Sequence, residues 1–175
     1  MQPPRLFSDH HLLAAVARHL HAQRAVHYPR LVVEGRLSRA RALDGLRIMR
    51  TIARSWRAIA ELRPEPVGAH DPDQGGAWPF ERIQHLTVTA RHARAQADAA
   101  QGNRQAADLA DAIETLLWWE TARPSARWLV DTTLAGRRQA DACPIVTADR
   151  AALARRIEQR RVAAARNTRP LGVAA

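Results

Sequence analysis

VHYPRLVVEGRLSRARALDGLRIMRTIARSWRAIAEL, residues 26–62, carries the sharpest turn signal in the chain and its best amphipathic helix. Ser38 follows Gly35-Arg36-Leu37 and has the side chain of an N-cap. From there to Leu62 no proline interrupts, and Pro64 and Pro66 then stop the helix. Leu46, Met49, Ala53, Trp56 and Ala60 recur at steps of three and four, and Ile52 and Ile59 widen the stripe. That is the period of a helix burying one face. Arg47, Arg50, Arg54 and Arg57 fall within about an 80° arc beside it, along roughly 15 Å of axis, at 100° and 1.5 Å per residue. A row of guanidinium groups suits phosphates, because each planar fork donates paired hydrogen bonds. A solvated helix flank would look the same.

Before this helix, Pro29 disfavours helix at Tyr28 and is expected to end the preceding segment. That segment is a helix from Ser8 or Asp9 to about Val26, with Leu12, Leu13, Val16 and Leu20 as its apolar stripe. The short connection makes the two an antiparallel hairpin.

The hairpin also carries a resemblance. His27-Tyr28-Pro29-Arg30-Leu31-Val32-Val33-Glu34-Gly35-Arg36-Leu37-Ser38, followed by Ala42, Ile48-Met49 and Ile52, resembles a short element found in uncharacterised proteins of bacterial prophages and mobile elements. It covers about residues 12–56, under a third of the chain. Those proteins usually carry acidic residues after the Ser or Thr and before the Ile-Met pair, where this chain has Arg39 and Arg47. The resemblance implies a mobile-element context and a helical hairpin, and it brings no catalytic residues.

The chain's 175 residues fit one domain, or one with a tail. All 27 basic residues are arginine. With abundant alanine, this is the signature of a GC-rich bacterial genome, but the net charge of +10 is physical all the same. It favours nucleic acid, an acidic protein surface or an anionic membrane. The charge is uneven: residues 1–63 hold 12 arginines and 4 acids, residues 64–120 hold 4 and 9, and residues 121–175 hold 11 and 4. Either the acidic middle packs against the basic ends, or two basic surfaces stay open to a polyanion.

Residues 63–80 hold four prolines, three glycines and the turn-like Asp71-Pro72-Asp73, and read as a loop or linker. Trp78 and Phe80 are expected to fold back onto the core. Helices follow at 81–100 (Ile83, Leu86, Ala90, Ala93, Ala97) and 104–121 (Ala106, Leu109, Ile113, Leu116, Leu117). Trp118 and Trp119 end the second. Neighbours differ by about 100°, so both cannot face one core stripe. One seals a hairpin end, or lies at a partner or dimer interface. Pro124-Ser125 opens a short helix with Trp128, Leu129 and Leu134, ended by Gly136. Residues 144–146 read as extended. Thr147 caps a last helix to about Arg166, whose Arg155, Arg156, Arg160 and Arg161 make a second basic strip.

The chain carries no recognisable catalytic or metal-ligating motif. His19 and His21 point to different sides of a helix, and His85 and His92 sit about 10 Å apart along one, too far for one ion. There is no phosphate-binding loop, nucleophile elbow or zinc-protease signature. The lone Cys143 excludes an intrachain disulfide and a zinc knuckle. No signal peptide or transmembrane run is recognised, which makes the cytoplasm the default expectation.

The reading is therefore an all-α protein: an irregular bundle of five or six helices built on the N-terminal hairpin, with no significant sheet. It divides into a basic hairpin (1–62), a loop (63–80), an acidic-to-neutral helical region (81–146) and a basic terminal helix with tail (147–175). No enzyme activity, cofactor or metal is expected. The expected partner is DNA or RNA, bound with low sequence specificity through phosphate contacts by Arg47, Arg50, Arg54, Arg57, Arg155, Arg156, Arg160 and Arg161. The alternative is a helical interaction module for an acidic protein surface, or a homodimer, using Trp118 and Trp119.

Overall fold

A computed structural model describes residues 3–122, 125–142 and 155. Among these the protein is all-α, with five α-helices and no strand: α1 (His10–Val33), α2 (Arg39–Ala60), α3 (Pro79–Ala99), α4 (Arg104–Thr121) and α5 (Ala126–Ala142). The chain forms two compact units, Met1–Asp131 and Thr132–Ala175. Among the described residues of the second, 132–142 belong to α5, and Arg155 is helical and exposed. The expected extended piece at 144–146 and the rest of the expected last helix lie outside the described residues.

In the first unit α1 packs on α2, α3 on α4, α1 on α4 and α2 on α3. This is a closed ring of four helices made from two hairpins. Neighbours run antiparallel: His10 of α1 meets Trp56 of α2 and Trp119 of α4, whereas Arg24, near the other end of α1, reaches Thr89 of α3. Trp56, Leu13, Met49, Ile52, Leu86, Ile113 and Leu116 fill the centre. Burial of such side chains from water is the main force holding the ring together.

Local signals place most helix ends. The Ser38 hydroxyl accepts from the Arg41 N–H, and the Asn103 side chain accepts from the Ala106 N–H. Each satisfies a donor that the first helical turn leaves unpaired. Pro29, however, does not end α1. Helix continues through it to Val33, so the whole Tyr-Pro-Arg-Leu-Val run is helical. Pro29 and Ala25 are both exposed, so the ring lies in solvent and water can reach the carbonyl that a proline cannot hydrogen-bond. The true stop is Gly35 at φ 69°, where the Gly35 and Arg36 N–H groups fold back onto the Val32 and Leu31 carbonyls. Gly136 likewise fails as a terminator, because α5 runs on to Ala142.

Two stripes are rotated from their sequence pattern. On α2 the buried line is Ile48, Met49, Ile52, Ser55, Trp56 and Ile59, leaving Ala53 and Ala60 at its edge. On α1 it is Leu13, Ala17 and Leu20, with Leu12 exposed.

The loop between α2 and α3 is built rather than slack. Asp71 caps a single 3-10 turn, Pro72–Gln74, by accepting from the Asp73 N–H. Gly76 lies under Gly68, and a Cβ there would sit 1.9 Å from the Gly68 carbonyl oxygen. The Ala77 N–H then donates to the Ala69 carbonyl. Trp78 and Phe80 do not fold back onto the core: they are 47% and 65% exposed. Pro79 starts α3 immediately, and the small buried Ala77, not an aromatic ring, fills the space against the bundle.

Candidate nucleic-acid interface

The four arginines of α2 do not act as one row. Arg47 turns inward. It donates to both oxygens of Glu81 at the start of α3, at 2.7 and 3.4 Å, and to the Gly76 carbonyl at 2.5 Å. With its side chain 19% exposed, it ties α2 to the loop and to α3, and is withdrawn from the expected phosphate-binding set. Among the described residues the one hydrogen bond of Arg50 is to the Gly75 carbonyl, at 3.5 Å. Arg54 is exposed and has no hydrogen bond or ion pair among the described residues. Arg57 pairs with Glu61 one turn on, at 2.9 Å, and holds that carboxyl below the usual carboxylate range.

Arg50, Arg54 and Arg57 form one wall of a groove between α1 and α2, with a volume of about 500 Å³. The opposite wall carries His11, Arg18 and His21. The floor is alanine: Ala14 and Ala15 from α1, Ala53 and Ala60 from α2. The small floor residues let the two helices form a concave trough, and the rotated α2 stripe is what leaves Ala53 and Ala60 in it. Arg18, like Arg54, makes no ion pair among the described residues. His21 is held below its usual pKa by burial, with Arg50 and Arg24 adding to the effect. Among the described residues the groove thus carries four guanidiniums against one carboxylate, Glu61, which lies toward one end beside Arg57.

Arg18 is absent from the sequence-derived set because it stands alone among α1 residues that show no charged row. The available signal is spacing: His11, Ala14, Ala15, Arg18 and His21 recur at helical steps on the face beside the buried Leu13, Ala17 and Leu20.

Most of the acidic middle of the chain is spent internally. Arg5 reaches Asp108 at 2.8 Å. Arg94 bridges Asp111 and Glu114 at 2.6 and 2.7 Å, which raises its pKa further above the ordinary arginine value. Arg82, almost fully buried, pairs with Glu120 at 2.6 Å. These pairings leave the α1–α2 groove as a basic surface in which, among the described residues, Glu61 is the one carboxylate.

Of the second basic strip, Arg155 is exposed, and Arg156, Arg160 and Arg161 lie outside the described residues. Trp119 is buried, and its indole N–H donates to the Phe7 carbonyl at 2.8 Å. Trp118 is half-buried and packs edge-on against Trp119, with ring centroids 4.8 Å apart. The pair therefore seals the end of the bundle against the N-terminal lead, which removes Trp119 as a partner-facing residue.

Among the described residues no cluster of side chains could hold a metal ion, and no helix is long and apolar enough to cross a membrane. No family model matches the chain, and comparisons with curated proteins and with solved structures likewise find no match.

Proposed function

We propose that this protein is a small basic helical accessory protein, of the phage or mobile-element context that its Tyr-Pro-Arg-Leu-Val element resembles, and that it binds nucleic acid through phosphate contacts. Arg18, Arg50, Arg54 and Arg57 line the α1–α2 groove and make these contacts. The observation that carries the reading is that Arg18 and Arg54 face each other across this groove without ion pairs among the described residues. Arginine side chains unpaired with carboxylates are available for bidentate contact with phosphate oxygens. Contacts to backbone phosphates position a protein on nucleic acid without reading its sequence, so DNA and RNA are both expected ligands.

The test is fluorescence anisotropy with a random DNA duplex and a matching RNA, titrated from low to physiological salt. Up to four neutralised phosphates predict a log–log salt slope of roughly −3 to −4. Arg18→Gln with Arg54→Gln should flatten that slope by about 2. Absence of binding at low salt would sink the reading.

A second reading is a non-enzymatic interaction module that docks on an acidic protein surface. The exposed Trp78 and Phe80 favour it, since aromatic residues and arginine are enriched where proteins meet. Loss of partner capture in Trp78→Ala with Phe80→Ala, with nucleic-acid binding absent in the parent, would select it.

A further inference from the structure

A second cleft lies across α1, α3 and α4, with a volume of about 340 Å³. It shares no lining residue with the α1–α2 groove. Its floor is apolar: Leu20, Ala93, Leu109 and Ile113. Its rim is polar, made by Gln23, Arg24, His27, Tyr28, Thr89, His92 and Gln96, with no aspartate or glutamate.

Arg24 is the centre of this rim. It is half-buried, and each of its acceptors is neutral: the Tyr28 hydroxyl at 3.1 Å, the Leu20 carbonyl at 3.1 Å and the Thr89 hydroxyl at 2.8 Å. A guanidinium has five N–H groups, so two remain beyond these three bonds. The Tyr28 hydroxyl accepts from Arg24 and keeps its own proton to donate. The Thr89 hydroxyl donates to the His85 carbonyl and so holds the guanidinium from the α3 side. Elsewhere in the first unit, arginines buried this far meet carboxylates: Arg47 meets Glu81 and Arg82 meets Glu120. Among the described residues Arg24 has a charge without a counter-charge, at the mouth of an apolar cleft. A partly buried charge is costly unless paired.

We infer that this cleft binds a small organic anion, whose carboxylate or phosphate group pairs with Arg24 and Tyr28 and whose compact apolar body lies on Leu20, Ala93, Leu109 and Ile113. Concave sites with an apolar lining and a few convergent polar groups are the usual form of small-ligand sites, and this cleft falls at the lower end of their size range. Its volume suits a single ring or a short branched chain. His27 and His92 stand on opposite walls as further donors. The cleft is separate from the proposed phosphate-binding groove, and the inference does not rest on that reading.

The experiment is a titration of the full chain with benzoate and with phenyl phosphate, followed by amide chemical shifts. Benzylamine serves as a cationic control of similar shape. Saturable shifts clustered at Thr89, His92 and Gln96, in the roughly millimolar range that such small probes reach, are expected for one or both anions. Which anion binds more tightly assigns the headgroup. Ala93→Leu fills the cleft and should weaken binding at least about tenfold while the thermal unfolding midpoint stays within a few degrees. Arg24→Gln should abolish the preference for anion over benzylamine; should that variant not fold, His92→Ala, at an exposed position on the rim, should weaken binding of the anion that the parent binds. Three results would overturn the inference: equal binding of benzylamine, shifts confined to the α1–α2 groove around Arg18 and Arg54, or full affinity in Ala93→Leu.

Discussion

The Arg47 guanidinium lies 2.7 Å from the Glu81 carboxylate and belongs to the framework, whereas Arg54, two helical turns further along α2, has no ion pair among the described residues. Burial and the hydrogen bonds from Arg47, joined by the Trp78 backbone N–H, hold the two partners in place, and the Glu81 carboxyl is kept below its usual range chiefly by Arg47. The two arginines should therefore separate cleanly on mutation. Arg47→Gln is expected to cost about 2 kcal/mol of stability, since it strands a half-buried carboxylate. Arg54→Gln should change stability by less than about 0.5 kcal/mol, as exposed substitutions do. Urea unfolding of both variants checks this, and equal losses would contradict it.

Anisotropy on the same pair should give the reverse order. Arg54→Gln weakens polyanion binding and reduces the salt slope by about 1, the release expected for one lost phosphate contact. Arg47→Gln, measured where it is folded, leaves the slope unchanged.

Glu120 serves two buried partners, the Arg82 guanidinium at 2.6 Å and the Trp56 indole N–H at 3.4 Å. Arg82 already has one buried N–H, on Nε, without a partner. Glu120→Gln removes the charge that compensates it and is expected to destabilise by about 3 kcal/mol. The indole of Trp56 should report the change as altered tryptophan fluorescence in the folded state. A loss under about 1 kcal/mol in denaturant titration would count against the assignment.

Acid should unfold the protein earlier than its carboxylates alone would require. Burial, with a contribution from Arg24, lowers the His85 pKa to about 4 from its usual 6.5. A histidine with a depressed folded-state pKa binds its proton more readily when unfolded. Stability is therefore full above pH 6.5 and falls as pH drops toward about 4, by up to about 3 kcal/mol from this residue. His85→Gln should flatten the pH dependence across that window. A variant curve parallel to the parent's from pH 7 to pH 4 would refute the prediction.

Much of this architecture is legible in the residues. Ser38 marks a helix start correctly because capping is local: a side chain answers backbone donors two or three positions away. The hydrophobic period identifies α1 to α4 for the same reason. Features that depend on neighbours are not legible. Pro29 reads as a stop, but on the solvent side of α1 a lost backbone hydrogen bond can be met by water. Arg47 looks identical to Arg54 until Glu81, over thirty residues away, comes into view. The α2 stripe is ambiguous within about one residue because alanine fits either a core or a groove floor. Arg18 joins the groove only through the pairing of α1 with α2, which no single-helix pattern contains. Trp78 and Phe80 read as core by chemistry alone, yet the immediate start of α3 leaves them outside.

The crossing of Gly76 beneath Gly68 bears on how copies of this chain can associate. Exchange of helical hairpins between two molecules requires the connecting segment to straighten into an open hinge. Here that segment is cinched by the Gly76 crossing, by the Ala77 to Ala69 bond and by Arg47 gripping the Gly76 carbonyl. Straightening it would break all three before any intermolecular contact formed. The α2–α3 connection therefore acts as a latch that holds the two hairpins of one chain together and opposes their exchange between copies.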